Sequence, residues 1–304
     1  MAVLKSILAQ NYHMVLGIPG SGKTTAIVVL IRILAAMQQR VLVVSFTNSA
    51  IDNVLGRLKM SGFNKFVRVT NNIASVDEPV QANVRTYSMF SSMEQIQTTL
   101  KENYVYGTTC LQMNNNLLCC LKFDFCIMDE ASQISEPLAV GPILLAQKFV
   151  MIGDYYQLNP LVKSVLAEKK GMGLSLFEKL CKTHPNSSSV LKKQYRMSED
   201  ILDLSNTIIY HGVMMHGSDQ VRQQKVEFPR EVNSMLTWLE EIKKRSVTFL
   251  KTDKVILNLK LKERQRFKYK NFIEAAICAM IIDNFKHCGV EPHKITIITP
   301  FLDQ

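Results

Sequence analysis

The sequence lacks the features that mark membrane, secreted and disordered proteins. Its longest apolar stretch runs from Ala26 to Met37, is interrupted by Arg32 and falls short of the roughly 20 residues that a membrane span needs. Residues 1–10 contain no long apolar region or cleavage site of a secretory signal and are not rich in arginine. A hydrophobic content of 47% with 20% charged residues excludes collagen-like, low-complexity and disordered classes. We expect a globular chain without a membrane partner.

Paired cysteines are also lacking. The seven cysteines are an odd number, form no C-x-x-C pair and have no metal-ligand spacing. Such a pattern predicts free thiols in a reducing compartment.

Chain length and net charge indicate the number of domains and the kind of partner. At roughly 100–200 residues per domain, 304 residues predict two domains. Lys and Arg number 36 against 26 Asp and Glu, a net charge of +10, which serves either solubility or an anionic partner such as nucleic acid. Charge alone leaves both interpretations open.

Predicted strands alternate with helices. In the first block the strands cover residues 14–17, 40–45, 66–69, 104–109, 123–129 and 148–154, and the helices cover 24–37, 49–59, 86–102 and 133–146. A second block, from about Ser187, has predicted strands at 190–193, 246–250 and 295–299 and helices at 198–208 and 271–287. The alternation predicts an α/β fold with a largely parallel sheet covered by helices on both faces.

The first chemical motif is GIPGSGKT, Gly17 to Thr24, which fits the P-loop pattern G-x-x-x-x-G-K-[ST]. Its glycines let backbone N–H groups wrap a polyphosphate, Lys23 reaches the terminal phosphates, and the Thr24 hydroxyl binds Mg²⁺. A predicted strand precedes the motif and a predicted helix follows it, so the helix N-terminus adds to the attraction for anions. The motif therefore predicts a nucleotide-binding loop.

Three further motifs complete a predicted hydrolase site. In DEASQ (129–133), Asp129 is expected to hold Mg²⁺ and Glu130 to activate the attacking water. In GDYYQLNP (153–160), Gln157 is placed to contact the γ-phosphate and that water. In QYRM (194–197), Arg196 is a candidate arginine finger supplied by the neighbouring domain.

These motifs, with SFTNSAIDN (45–53), are similar to the helicase motifs of superfamily 1, in the branch that includes the nonsense-mediated-decay RNA helicase. Longer stretches resemble the helicase part of the eukaryotic DNA replication ATP-dependent helicase/nucleases, a family that trims 5′ flaps and resects DNA ends. They are DFCIMDEASQISEPLAVGP (124–142), KFVMIGDYYQLNPLV (148–162), MGLSLFEKL (172–180), QYRMSEDILDLSN (194–206) and YHGVMMHGSD (210–219).

The resemblance implies an ATP-driven 5′→3′ translocase on single-stranded DNA. It implies a P-loop NTPase with tandem RecA-like domains at 1–185 and 186–304, the second incomplete, and ATP with Mg²⁺ as cofactors. The implied catalytic residues are Lys23, Glu130, Gln157 and Arg196, with Thr24 and Asp129 at the metal. The implied nucleotide-binding residues are Gly17, Pro19, Gly20, Ser21, Gly22, Lys23, Thr24, Thr25 and Tyr195, the last against adenine. Contacts to the DNA backbone are implied for Thr47, Asn48, Ser49, Thr108, Thr109, Thr299 and Pro300, with Thr108 and Thr109 in a loop at 107–110.

The sequence also departs from the family pattern. Tyr155 and Tyr156 replace polar residues and Asn159 replaces a proline, which makes coupling through this loop less certain than nucleotide binding. The family's glutamine motif and its last two helicase motifs are not found between Met1 and Gln304, and no nuclease domain or iron–sulfur cluster is expected in this chain.

Alternatives therefore stay open. One is a superfamily 1 RNA helicase of the decay or splicing type, and another is a nucleic-acid-binding module without turnover. The resemblance also implies a single-strand-binding protein as partner and a nuclear location, with the mitochondrion as a second compartment.

A basic run occupies residues 260–270. Its cations fall at every second position, namely Lys260, Lys262, Arg264, Arg266, Lys268 and Lys270. As a strand it would present them on one side as an electrostatic rail for DNA. The favoured interpretation is a solvated loop, because most charge runs are.

Overall fold

The computed structural model describes residues 1–119, 121–230, 244–252 and 271–300. The chain divides into two compact units. The first comprises Met1–Arg196 and Ile209–Gly217, and the second comprises Met197–Ile208 and Ser218–Gln304. No helix of the described residues is long and apolar enough to cross a membrane.

The first unit is built on a sheet of eight parallel strands in the order β4-β3-β5-β2-β6-β7-β1-β8. The strands are β1 Tyr12–Gly17, β2 Val41–Ser45, β3 Phe66–Val69, β4 Val84–Arg85, β5 Val105–Thr109, β6 Phe123–Met128, β7 Ala146–Gly153 and β8 Ser188–Leu191. Two shorter strands, β9 Lys193–Gln194 and β10 Met215–His216, pair in parallel beside it. In a parallel sheet the carboxyl ends of all strands meet at one edge, which is where ligands bind.

Helices cover both faces of this sheet because alternate strand residues point to opposite sides. Val41 and Val43 pack with the cluster that includes α2 and α3, whereas Leu42 and Val44 pack with the cluster that includes α5 to α7 and α9. The helices of this unit are α1 Ala2–Leu8, α2 Lys23–Ala36, α3 Asn48–Met60, α4 Glu78–Gln81, α5 Met93–Glu102, α6 Asn116–Cys119, α7 Glu136–Leu144, α8 Val165–Ala167 and α9 Leu176–Thr183. The predicted α/β class is confirmed.

The regular elements in the described part of the second unit are helices. Its helices are α10 Glu199–Ser205, α11 Asp219–Arg222 and α12 Phe272–His287, so the helix predicted over 271–287 is confirmed. The Phe228 and Phe285 rings lie 5.5 Å apart, and the Arg230 backbone N–H donates to the Cys288 carbonyl at 3.0 Å.

Three strand assignments differ from the sequence prediction. The strand predicted at 190–193 in the second block is β8, which pairs with β1 as an edge strand of the first sheet. The strands predicted at 246–250 and 295–299 are wrong, because no strand among the described residues pairs with either segment. Apolar β-branched composition favours an extended chain, but only a neighbouring strand satisfies its backbone groups.

Two other predictions concern charge and cysteine. The basic run at 260–270 lies outside the described residues. The cysteines whose surroundings the structure describes are free thiols, as predicted: Cys110, Cys126, Cys181, Cys278 and Cys288.

Candidate functional site

The P-loop joins the carboxyl end of β1 to the start of α2. Gly20 and Gly22 have φ angles of 72° and 84°, in the left-handed region that favours glycine. A Cβ at Gly17 would overlap the Lys23 side chain, whose ammonium donates to the Gly17 carbonyl at 2.9 Å. The loop thus turns its backbone around the Lys23 chain, as the P-loop pattern predicts.

The remaining candidate nucleotide-binding residues surround this turn. The Ser21 hydroxyl donates to the Ile18 carbonyl at 2.7 Å and holds the loop closed on itself. Pro19 and Thr24 are half-buried, and Thr25 is exposed. All of them therefore lie at the N-terminal end of α2.

The acidic pair follows β6, which lies two strands away from β1. Asp129 is only 4% exposed, and its backbone N–H donates to the Val44 carbonyl at 2.8 Å at the end of β2. Burial, and then the charge of Glu130, raise the pKa of Asp129 to about 7, while Lys23 acts in the opposite direction. The site therefore holds a carboxylate whose charge a cation would stabilise.

Glu130 stands in a strained backbone conformation. Its φ of 50° and ψ of 40° are left-handed, which is uncommon for a residue with a side chain. Its N–H donates to Asp129 Oδ1 at 2.9 Å, and its side chain is half-buried. Strain of this kind concentrates at functional sites, where surrounding contacts hold the residue in place.

The end of β7 lies between the P-loop and the acidic pair. A Cβ at Gly153 would lie 2.9 Å from the Ser132 nitrogen, so only glycine lets β7 approach the turn after Glu130. Asp154 is buried, and its Oδ2 accepts from the exposed Gln157 amide at 2.6 Å. The Gln157 side chain is thus held close to the carboxyl end of β7.

Tyr195 and Arg196 lie against the P-loop within the first unit. The Tyr195 N–H donates to the Gly20 carbonyl at 2.9 Å, and a Cβ at Gly20 would lie 2.7 Å from Arg196 Cβ. Arg196 was predicted to come from the neighbouring domain, whereas the structure groups it with the P-loop, because β8 and then β9 carry the chain back beside β1.

Sequence reasoning missed two residues that hold this segment. The Gln194 carboxamide, fully buried, accepts from the Arg196 N–H at 2.7 Å. A Cβ at Gly217 would overlap the ring of Tyr195, which is 57% exposed, so glycine is required beneath it. The pairing of β9 with β10 brings Gly217 there, and no local sequence signal marks it.

The candidate DNA-contacting residues at the start of α3 differ in exposure. Thr47 caps α3, its hydroxyl accepting from the Ala50 N–H at 3.3 Å, and both Thr47 and Ser49 are exposed. Asn48 is half-buried, with its oxygen accepting from Arg68 at 2.8 Å and its nitrogen donating to Ser75 at 3.3 Å. Both ends of the Asn48 amide therefore form hydrogen bonds within the protein.

Arg68 is a further residue that sequence reasoning missed. It lies at the centre of the apolar strand FVRV and is fully buried. Its Nε donates to Asp52 at 2.7 Å and its Nη1 to the Val69 carbonyl at 2.9 Å. A lone charge inside an otherwise apolar strand was the available signal, because such a charge needs a buried partner.

Two candidate DNA contacts lie in a strand, as the strand predicted over 104–109 requires, and not in the loop at 107–110 that the resemblance implied. Thr108 and Thr109 belong to β5, and both are buried. The Thr108 hydroxyl donates to the Val69 carbonyl at 3.0 Å, so it ties β5 to β3. Thr299 and Pro300 are exposed and belong to the second unit.

Two family profiles, each described as an AAA domain, match the chain. One matches residues 1–103 and 85–165, and the other matches residues 172–304. The chain belongs to the AAA-domain family. Both halves of this AAA-domain chain are covered, and the first match contains the P-loop and the acidic pair.

This AAA-domain chain is similar over its whole length to curated DNA replication ATP-dependent helicase/nucleases. It is 38% identical to JHS1 of Arabidopsis thaliana, 35% to DNA2 of Saccharomyces cerevisiae and 33% to DNA2 of Homo sapiens. The match covers 100% of this chain but only 22%, 20% and 30% of those proteins. The predicted resemblance is confirmed, and the chain spans less than a third of these relatives.

A solved structure of an arterivirus helicase with DNA also matches the AAA-domain chain. The sequence identity is 18% and the TM-score is 0.42, over 71% of this chain and 43% of that one.

Proposed function

We propose that this chain hydrolyses ATP and moves 5′→3′ along single-stranded DNA, as the helicase part of a replication and repair helicase/nuclease. One observation carries the proposal. The P-loop, the acidic pair and Gln157 follow three strands at the same edge of a parallel sheet, and Arg196 packs on Gly20. A P-loop hydrolase needs these groups together.

The residues fit a nucleotide with Mg²⁺. Gly20 and Gly22 have positive φ angles and no Cβ atoms, so an anion can approach the backbone N–H groups at the start of α2, where it is stabilised. Thr24 and the buried Asp129 would hold Mg²⁺, which neutralises phosphate charge when bound. Among the described residues no three His, Cys, Asp or Glu side chains gather as a metal site. Two protein ligands suffice where phosphates supply the others.

Each remaining polar group has a task in hydrolysis. Lys23 binds the terminal phosphates, and Glu130 takes a proton from the water that attacks the γ-phosphorus. Gln157 orients that water, and Arg196 stabilises the charge that develops on the transferred group. Tyr195, with its ring held over Gly217, stacks on the adenine.

Exposed residues are assigned to bind single-stranded DNA through its backbone, without recognising the base sequence. Thr47 and Ser49 at the start of α3 contact phosphates, as does Thr299 of the second unit, while Pro300, which has no N–H, contacts the DNA through its ring. Asn48 supports the start of α3 from within, and Thr108 and Thr109 hold β5 in the sheet. The names of the curated relatives favour DNA over RNA as the strand. A 5′ flap as substrate, a single-strand-binding protein as partner, and a nuclear and mitochondrial location belong to the same proposal.

Hydrolysis is the first test. ATP turnover by the 304-residue chain is measured alone, with oligo-dT and with oligo-U of equal length. We expect oligo-dT to stimulate turnover most. Glu130→Gln should retain ATP binding and lose about 10²-fold or more in turnover, because it lacks the base, whereas Lys23→Ala should lose both binding and turnover.

The outcomes separate the candidates. Greater stimulation by oligo-U would favour the RNA helicase, and binding of ATP and DNA without turnover would leave a binding module. Substantial hydrolysis by Glu130→Gln would remove Glu130 as the base. Direction is tested by displacing streptavidin from biotinylated oligonucleotides: release from the 3′ end alone is expected, and release from the 5′ end alone contradicts the proposed polarity.

A further inference from the structure

The buried Asp154 carboxylate, which has no role in the hydrolysis scheme, is the centre of a hydrogen-bond network. Its Oδ1 accepts from the Tyr156 N–H at 3.1 Å. Its Oδ2 accepts from Gln157 Nε2 at 2.6 Å and from the Tyr210 hydroxyl at 2.8 Å. Gln157 and Tyr210 therefore share a single carboxylate oxygen.

Tyr210 comes from a distant part of the sequence. It is 3% exposed, and its ring centre lies 5.5 Å from that of Tyr156. Burial and the hydrogen bond to Asp154 raise the pKa of the Tyr210 hydroxyl. The hydroxyl thus stays protonated as a donor throughout the physiological range.

The hydrogen bond from Tyr210 to Asp154 lies on a segment where the chain returns to the first unit. The chain leaves the first unit after Arg196, returns at Ile209 and leaves again after Gly217. Tyr210 is the second residue of the returning segment, 209–217. The same segment ends with β10, which pairs with β9, and with Gly217 beneath the Tyr195 ring. One end of the segment thus contacts Asp154, and the other contacts the residues beside Arg196.

We propose that Tyr210 is a positioning residue that holds Gln157 through Asp154 and couples the nucleotide state at Gln157 to segment 209–217. A change in what Gln157 contacts alters its hold on Asp154 Oδ2, and the Tyr210 hydroxyl on the same oxygen responds. This inference rests on the proposed ATPase function and deepens it, because it names the path by which hydrolysis reaches segment 209–217 of the first unit.

Tyr210→Phe tests the coupling because it removes one oxygen and keeps the ring against Tyr156. The matched control is Tyr106→Phe. Tyr106 is equally buried in the first unit, but its hydroxyl donates to the Leu100 and Asn103 carbonyls at 3.2 and 3.1 Å. Both variants are made in the full chain and compared by melting temperature, KM for ATP and kcat with single-stranded DNA.

Tyr210→Phe should lower kcat about tenfold, which is the size of one charge-assisted hydrogen bond, and leave KM within about twofold. Tyr106→Phe should leave both unchanged. The double variant with Gln157→Ala should be no slower than Gln157→Ala alone, since both changes interrupt one path. Multiplied losses, or an equal loss in Tyr106→Phe, would overturn the inference.

A second readout does not need turnover. Hydrogen exchange of segment 209–217 is measured with and without a non-hydrolysable ATP analogue and Mg²⁺. We expect the analogue to slow exchange in the unsubstituted chain but not in Tyr210→Phe or Gln157→Ala. If the chain lacks ATPase activity and this response persists, the proposed function fails while the coupling stands. An unsubstituted chain without the response overturns the coupling, whatever its turnover.

Discussion

The buried pair of Arg68 and Asp52 allows a quantitative prediction that links stability to strand binding. Both side chains are fully excluded from solvent, and Arg68 Nε lies 2.7 Å from Asp52 Oδ1. The other Arg68 donors reach the Val69 carbonyl and the Asn48 side chain. The guanidinium therefore joins the middle of β3 to the start of α3, where Thr47 and Ser49 are exposed.

Removing one partner leaves an uncompensated buried charge. We expect Asp52→Leu or Arg68→Met to lower the free energy of unfolding by about 3–5 kcal/mol each. The double variant replaces the ion pair with apolar side chains, so its free energy of unfolding should fall by only about 1–2 kcal/mol. Most of that loss comes from the Asp77 N–H, which donates to Asp52 Oδ2 at 3.1 Å and loses this acceptor. The two single losses should therefore be strongly non-additive.

Urea unfolding followed by circular dichroism measures these losses, with each transition fitted separately because the chain has two units. The double variant should keep its ATP turnover without DNA and lose much of the stimulation by single-stranded DNA, because Asn48 no longer has Arg68 to hold it. Additive losses in the double variant would refute the role of the ion pair. Full stimulation in a stable double variant would refute the link to the strand-binding loop.

Two further predictions concern the nucleotide site. Arg196→Ala should lower kcat about 10³-fold with much less change in ATP affinity, because a finger acts mainly on the transition state; equal losses in turnover and affinity count against that role. Since the pKa of Asp129 is raised to about 7, its carboxylate forms only as the pH rises through that value. The Mg²⁺-dependent ATP affinity should therefore weaken about tenfold per unit below pH 7. Calorimetric titration of Asp129→Asn should show no such slope, and an unchanged slope would exclude Asp129 as its source.

The sequence signals of the candidate nucleotide site are local, so the conformation of each motif could be predicted from its own residues. Gly20 and Gly22 indicate a backbone with positive φ angles. The lysine at the start of a helix and the acidic pair after a buried strand are each recognised from the residues around them. A parallel sheet then collects the strand ends at one edge, so topology alone places Lys23 near Asp129. The positions of Gln194, Arg196 and Gly217 beside the P-loop depend instead on the pairing of β9 with β10.

What the sequence did not predict depends on distant partners. Ser188–Leu191 joins the first sheet because β1 offers an open edge, which no property of those four residues reveals. The resemblance implied a loop at 107–110, against the strand that the residue pattern predicted over 104–109; Gly107 is required because a Cβ there would lie 2.6 Å from a Leu55 methyl carbon. The glycine marks the close approach of α3 to β5 and not a turn, so Thr108 and Thr109 continue the strand.

The two tyrosines that depart from the family pattern illustrate the same limit. From the sequence, Tyr155 and Tyr156 weaken the expectation of coupling through the GDYYQL loop. In the structure, Tyr155 faces Phe177 of α9 with ring centres 6.2 Å apart, and Tyr156 faces Tyr210 at 5.5 Å. The two rings also contact each other, with centres 4.7 Å apart, in the turn where the Asp154 carboxylate accepts three donors. Aromatic packing therefore occupies the positions where the family pattern has polar residues, beside the hydrogen bond from Gln157 to Asp154. The route proposed above for coupling through this loop is the Tyr210 hydroxyl on the same Asp154 oxygen.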